Sequence, residues 1–178
     1  MFEQWSISFP GCEPVAHSLR NQFSNCWVRF HSLPESKRCP EDEEEYETVL
    51  KRHNAVLGTL ARKSQKVFLL TTEFSWKKNP TVPPFQIKKA THWRTDSVDE
   101  SFWHVYAENV QWVTGLFDGL IRQVATEEMG NVMICATDCK WLLHPYDGGM
   151  DVILSSEKLR DDLRAEFSDW LSPHPSGL

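Results

Sequence analysis

Lys140-Trp-Leu-Leu-His-Pro-Tyr-Asp-Gly-Gly-Met-Asp-Val-Ile-Leu154 is the stretch that decides the fold class. Two apolar runs flank Pro145-Tyr146-Asp147-Gly148-Gly149, and this spacing predicts a β-hairpin. The Asp-Gly-Gly turn predicts a type I′-like connection, with positive φ at one or both glycines. Four side chains capable of chemistry sit in or beside the turn: His144, Tyr146, Asp147 and Asp151. A purely structural hairpin needs fewer. In the structural reading Asp147 caps its own turn, while His144 and Tyr146 are half-buried rim residues. In the functional reading all four face a partner or ligand at one end of a sheet.

Working outward, residues 131–136 form an apolar strand and 137–140 a turn, so the hairpin closes a three-strand meander. Ser155-Ser156 supplies an N-cap for a last helix. Leu159, Leu163, Phe167 and Trp170 make its apolar stripe, and residues 172–178 form a tail. Upstream, Thr114 to Ala125 has helical spacing. Residues 102–110 alternate as a strand, although Ser97-Val-Asp-Glu100 has the form of a helix capping box. Residues 86–94 form a candidate edge strand with guarding lysines. Residues 77–85 are a proline-rich surface loop.

The N-terminal half holds the clearest helix. Tyr46, Val49, Leu50, His53, Val56, Leu57 and Leu60 recur at helical spacing, which predicts a helix over 41–63. The run Glu41-Asp42-Glu43-Glu44-Glu45 complements its positive end. Lys51, Arg52, Arg62 and Lys63 load the later turns. His53 on the stripe reads as a core-edge histidine. A strand over 26–32 precedes this helix, with Val28 and Phe30 on one face and Trp27, Arg29 and His31 on the other. A continuous apolar strand over 66–74 follows, of the kind covered on both faces. Strand, helix and strand together predict a right-handed βαβ unit. Pro14 is the expected first residue of a short helix whose apolar face is Val15, Leu19 and Phe23. Residues 1–12 are a lid or an edge strand.

The expected fold is therefore α+β, or mixed α/β, in one domain over residues 1–178. A central sheet carries a βαβ unit, a C-terminal β-meander and three to four flanking helices.

Here a family enters. His144-Pro-Tyr-Asp-Gly-Gly-Met-Asp-Val-Ile-Leu154, followed by a charged helix ending Asp169-Trp170-Leu171, resembles an uncharacterised bacterial protein family. Its members carry a Tyr-Asp-x-x-Gly/Ala-x-Asp-Val pattern and then a helix closing on Asp-Trp. Cys26-Trp-Val-Arg-Phe30 is similar to a Trp/Arg/Phe strand nearer their N-terminus. The resemblance covers mainly residues 131–171, with 26–32. Many relatives place an Arg before a single turn glycine, where this chain has Gly148-Gly149. The resemblance implies the fold boundaries and a bacterial origin, and it carries no activity.

Composition excludes several function classes. The 178 residues hold 19 Lys plus Arg against 25 Asp plus Glu, a net charge of −6, which disfavours a nucleic-acid partner. No apolar run approaches the ~20 residues of a membrane span. Five cysteines, an odd number at irregular spacing with no leader before them, read as reduced thiols of a cytoplasmic protein. Cys135, Cys139 and His144, with Asp147 or Asp151, include zinc-ligand types, but the tight cysteine pair of a structural site is absent, so no metal is expected. Asp138-Cys-Lys140 has the acid-x-Lys spacing of one nuclease class without the companion Pro-Asp. No nucleophile elbow and no phosphate-cradling glycine loop occurs, so no cofactor is expected.

Size, acidity, aromatic richness and missing catalytic motifs together favour a small protein–protein interaction module. An inhibitor or immunity-type protein that neutralises a basic enzyme fits them, its charge speeding association. The alternative is a small-molecule hydrolase or transferase using His144 with Asp147 or Asp151.

Overall fold

The structure is a computed structural model, and it describes residues 2–62, 65–79, 89–98 and 100–172. Most of the 77–85 loop, part of the 86–94 strand, Lys63, the capping-box Asp99 and the tail beyond Ser172 lie outside the described residues.

Seven strands form one sheet: β1 (Trp27–His31), β2 (Lys66–Ser75), β3 (Thr91–Val98), β4 (Ser101–Gln111), β5 (Val132–Ala136), β6 (Trp141–Tyr146) and β7 (Gly149–Leu154). Their spatial order is β1-β7-β6-β5-β2-β4-β3, and every neighbouring pair is antiparallel. The meander β5-β6-β7 is present as its turns implied. The fold is α+β.

The βαβ expectation is corrected in detail. Helix α3 (Glu43–Ala61) does join two strands of one sheet, β1 and β2, and alternation of direction makes them point the same way. They are not neighbours, because β7, β6 and β5 lie between them. A crossover of 19 helical residues spans those three strands, and the later meander fills the gap.

Helices cover both faces. On one, α3, α4 (Asp118–Ala125) and α5 (Glu157–Glu166) bury Val49, Val56, Ile121, Val124 and Leu163 against Val28, Phe30, Leu143, Met150 and Val152. On the other, α1 (Phe2–Ser8) and α2 (Ala16–Gln22) seat Trp5, Ala16 and Leu19 on Leu70, Met133, Leu142 and Ile153. All six residues of β7 are buried, as two covered faces require. Residues 1–12 are thus neither lid nor edge strand. Most of them form α1, whose Trp5 packs against Phe9 just beyond the helix at 4.6 Å and donates its indole N–H to the Cys12 carbonyl at 3.0 Å.

The acidic run divides its labour at the start of α3. Asp42 is the N-cap and accepts from Glu45 N at 2.9 Å, and Glu45 reaches back to Glu41 N at 2.7 Å. His53 is buried, and its Nδ1 bonds the Val49 carbonyl at 2.8 Å. At the other end no basic residue lies in the last turn, and Arg62 is the C-cap with φ of 52°. The helix expected from residue 114 begins only at Asp118, after a turn in which Gly115 takes φ of 85°. Along α5 the stripe is only partly inward. Leu163 is buried, Phe167 and Trp170 are half-buried, and Leu159 is 46% exposed.

Candidate functional site

β6 pairs with β7, and β7 with β1, so His144, Asp151 and Arg29 fall in one row across three strands. Residues in register share a face of the sheet, here the face that α2 covers. Arg29 closes on Asp151 with a planar, two-bond fit: Nε to Oδ1 at 2.8 Å and Nη2 to Oδ2 at 3.1 Å. Arg20 of α2 adds a second cation 4.0 Å from Oδ2. Asp151 is only 4% exposed, and a carboxylate there would be costly without such partners. Burial opposes the Arg29 charge, but the hydrogen bond and charge of Asp151 outweigh it and raise the guanidinium pKa.

Two residues beyond His144 and next to the turn, Tyr146 shares the face of His144. Its ring lies 5.0 Å from the Arg29 guanidinium carbon, which also lies 5.4 Å from the Trp27 ring. Burial, helped by the Asp151 charge, pushes the Tyr146 phenol well above its ordinary range. His144 Nδ1 donates to the Val132 carbonyl at 2.7 Å, and burial lowers its pKa, so the ring is neutral at pH 7. The structure therefore brings His144, Tyr146 and Asp151 together. Asp147 stands apart at the turn, where it pairs with Arg38.

That turn differs from expectation. Neither Gly148 nor Gly149 has positive φ. Gly149 is needed for another reason: an added Cβ would collide with the Phe30 carbonyl oxygen and lie 2.8 Å from the Tyr146 hydroxyl. Strand β1 comes too close for any side chain at this position.

Sequence reasoning passed over Arg29, Arg20 and Trp27 as parts of this site. A signal was present, because Asp151 lies inside an otherwise apolar strand and so calls for a cation on a neighbouring one. Only the pairing of β1 with β7 identifies Arg29 as that cation.

Chemically the row is closed. Arg29 occupies both oxygens of Asp151 and Arg38 pairs with Asp147, so neither acid is free to serve His144 as a general-base partner. None of the four residues lines the cavities of about 600, 510 and 270 Å³. Among the described residues no group of three His, Cys, Asp or Glu side chains gathers as a metal site. No helix among them is long and apolar enough to cross a membrane.

The fold and this row define an α+β domain pinned by a buried ion pair between its first and last strands. The chain belongs to the DUF3885 family, a domain of unknown function, whose match spans residues 15–175. No curated protein and no solved structure matches the chain.

Proposed function

We propose that this protein works by binding another protein, as a small cytosolic inhibitor or immunity-type module of bacterial origin, and that its partner is basic. The observation that carries the reading is the charge at the hairpin end of the sheet. Arg38 links the hairpin to the segment after α4 by pairing with Asp147 and, at 3.6 Å, with Glu127. Lys37 pairs with Glu41 at 3.1 Å and Glu45 at 2.7 Å, and Arg122 with Glu43. Five carboxylates (Glu41, Glu43, Glu45, Glu127 and Asp147) thus meet three cations there (Lys37, Arg38 and Arg122). Glu44, Glu47 and Glu128 are exposed and form no ion pair among the described residues, which leaves them open to a cationic surface. Concentrated charge of this kind steers association and sets specificity.

The test is affinity capture from the native host at low and high salt. The bait is either the wild type or the triple variant Glu44→Lys/Glu47→Lys/Glu128→Lys. A basic partner held by the wild type, released by salt and lost with the variant is the expected result. A partner that binds both proteins equally, or no partner, overturns the reading.

A further inference from the structure

We propose that Ser36 and His31 form a nucleophile–base pair for acyl transfer, acting on a short-chain carboxylic ester held in the cavity they share. The cavity encloses about 270 Å³ between the end of β1, the loop after it and the turn following α5. Leu33, Pro34, Trp170 and Leu171 provide apolar walls, and a short acyl chain suits that size and lining.

Three observations converge. First, Ser36 Oγ lies 3.4 Å from His31 Nε2, a distance typical of a dyad that tightens once substrate is bound. The Gly148 carbonyl is the backbone acceptor for the same ring. In the tautomer that carries its proton on Nδ1, Nε2 is bare to receive the serine proton. Burial, and then the charges of Arg29 and Arg52, lower the pKa of His31, so the ring enters the reaction neutral. Second, Glu35 and Ser36 have φ of 55° and 59°, in succession and without a glycine. Left-handed backbone in such residues is unfavourable and persists where the surroundings enforce it, often at functional sites. Here it presents Ser36 exposed at the cavity mouth.

Third, Arg52 lines the cavity without a carboxylate within 4.0 Å among the described residues. It lies 5.3 Å from the Trp170 ring, and one N–H donates to the His31 carbonyl at 2.8 Å. Glu35 and Asp169 also line the cavity but do not pair with Arg52. An uncompensated, half-buried guanidinium suits the negative oxygen of a tetrahedral intermediate.

The reaction balances with water alone. Ser36 Oγ attacks the ester carbonyl and passes its proton to His31 Nε2. The carbonyl oxygen becomes an oxyanion facing Arg52. Collapse breaks the bond to the alkoxy oxygen, which takes the proton from His31 and leaves as the alcohol. Water, deprotonated by His31, then attacks the acyl-serine. The carboxylic acid departs, and Ser36 recovers its proton. These residues are distinct from the exposed acids of the proposed docking surface, so either idea can fail alone.

The test treats the full chain with an alkyl fluorophosphonate and follows p-nitrophenyl butyrate hydrolysis in parallel. Peptide mass spectrometry should place one phosphonyl group on Ser36. Ser36→Ala should abolish labelling and turnover, and His31→Gln should slow both by roughly 100-fold. Ser24→Ala, on a residue outside the cavity, should change neither. A second variant keeps the idea testable if the first misfolds: Ser36→Cys should alkylate faster than the exposed Cys39 thiol, and His31→Gln should remove that advantage. Labelling elsewhere, no labelling, turnover that survives Ser36→Ala, or equal alkylation of positions 36 and 39 overturns the proposal.

Discussion

Arg29 and Asp151 face each other across β1 and β7, joined by two hydrogen bonds of 2.8 and 3.1 Å, although 122 residues separate them in the chain. The pair ties the first strand to the last. Breaking one side of it should be worse than removing both. Arg29→Ala leaves a buried carboxylate with only Arg20 nearby and should cost about 3–5 kcal/mol. The double variant Arg29→Met/Asp151→Leu should recover most of that loss. Urea unfolding of the two single variants and the double variant decides it. An Arg29→Ala loss below about 1 kcal/mol would mean that the pair adds nothing.

Two adjacent glycines should behave differently. At Gly149 a Cβ meets the Phe30 backbone, which cannot yield without moving β1, so Gly149→Ala should cost about 1–3 kcal/mol or more. At Gly148 the nearest atoms are side-chain carbons of Tyr146 and Arg38 at 3.4 and 3.5 Å, and φ is not positive. Gly148 is buried as well, but an added Cβ there meets its neighbours only at ordinary van der Waals distance, so Gly148→Ala should cost clearly less than Gly149→Ala, about 1 kcal/mol or below. Equal midpoints for the two variants in denaturant would contradict this account.

Acid should weaken the fold through His53. Burial lowers its pKa from the ordinary 6.5 to about 4, so the folded state keeps the ring neutral while the unfolded chain takes up a proton. The stability it contributes is complete above pH 6.5 and is lost as pH falls from 6.5 towards about 4. The loss should approach about 3 kcal/mol at the lower end. His144 is lowered too, in the same sense. A His53→Met variant should show a shallower fall of stability with acid, measured as denaturant midpoints between pH 7 and 4. An unchanged slope would place the acid sensitivity elsewhere.

Along α5, burial separates residues that the apolar stripe treats alike. Leu163→Ala should cost about 2–5 kcal/mol, and Leu159→Ala, at 46% exposure, about 0.5 or less. Trp170 is half-buried, stacked on Phe167 at 4.7 Å and covered by Arg52. Its loss should fall below the ~3–5 kcal/mol of a fully buried aromatic. Thermal midpoints of the three variants should rank them Leu163, Trp170, Leu159, from most to least damaging.

Much of this architecture was legible in the residues themselves. The spacing of Val49, His53, Val56 and Leu57 implied α3, because a helix has one local period. The apolar runs around Asp147-Gly148 implied β6 and β7, and Ser156 implied the start of α5. These are short-range effects, decided by neighbours within a few positions along the chain. They were enough for an α+β class and for the meander.

Other features were settled only by contacts between distant segments. Nothing local in Trp27–His31 says that it pairs with β7 and that three strands separate it from β2. That pairing locks Asp151 against Arg29, makes Gly149 indispensable for close approach, and sets the Gly148 carbonyl over His31. The short apolar start of the chain became a helix because the sheet face above Leu70 and Leu142 needed cover. Periodicity says which side of an element is apolar. Which distant surface buries that side depends on the packing of the whole chain, and only the tertiary structure decided it.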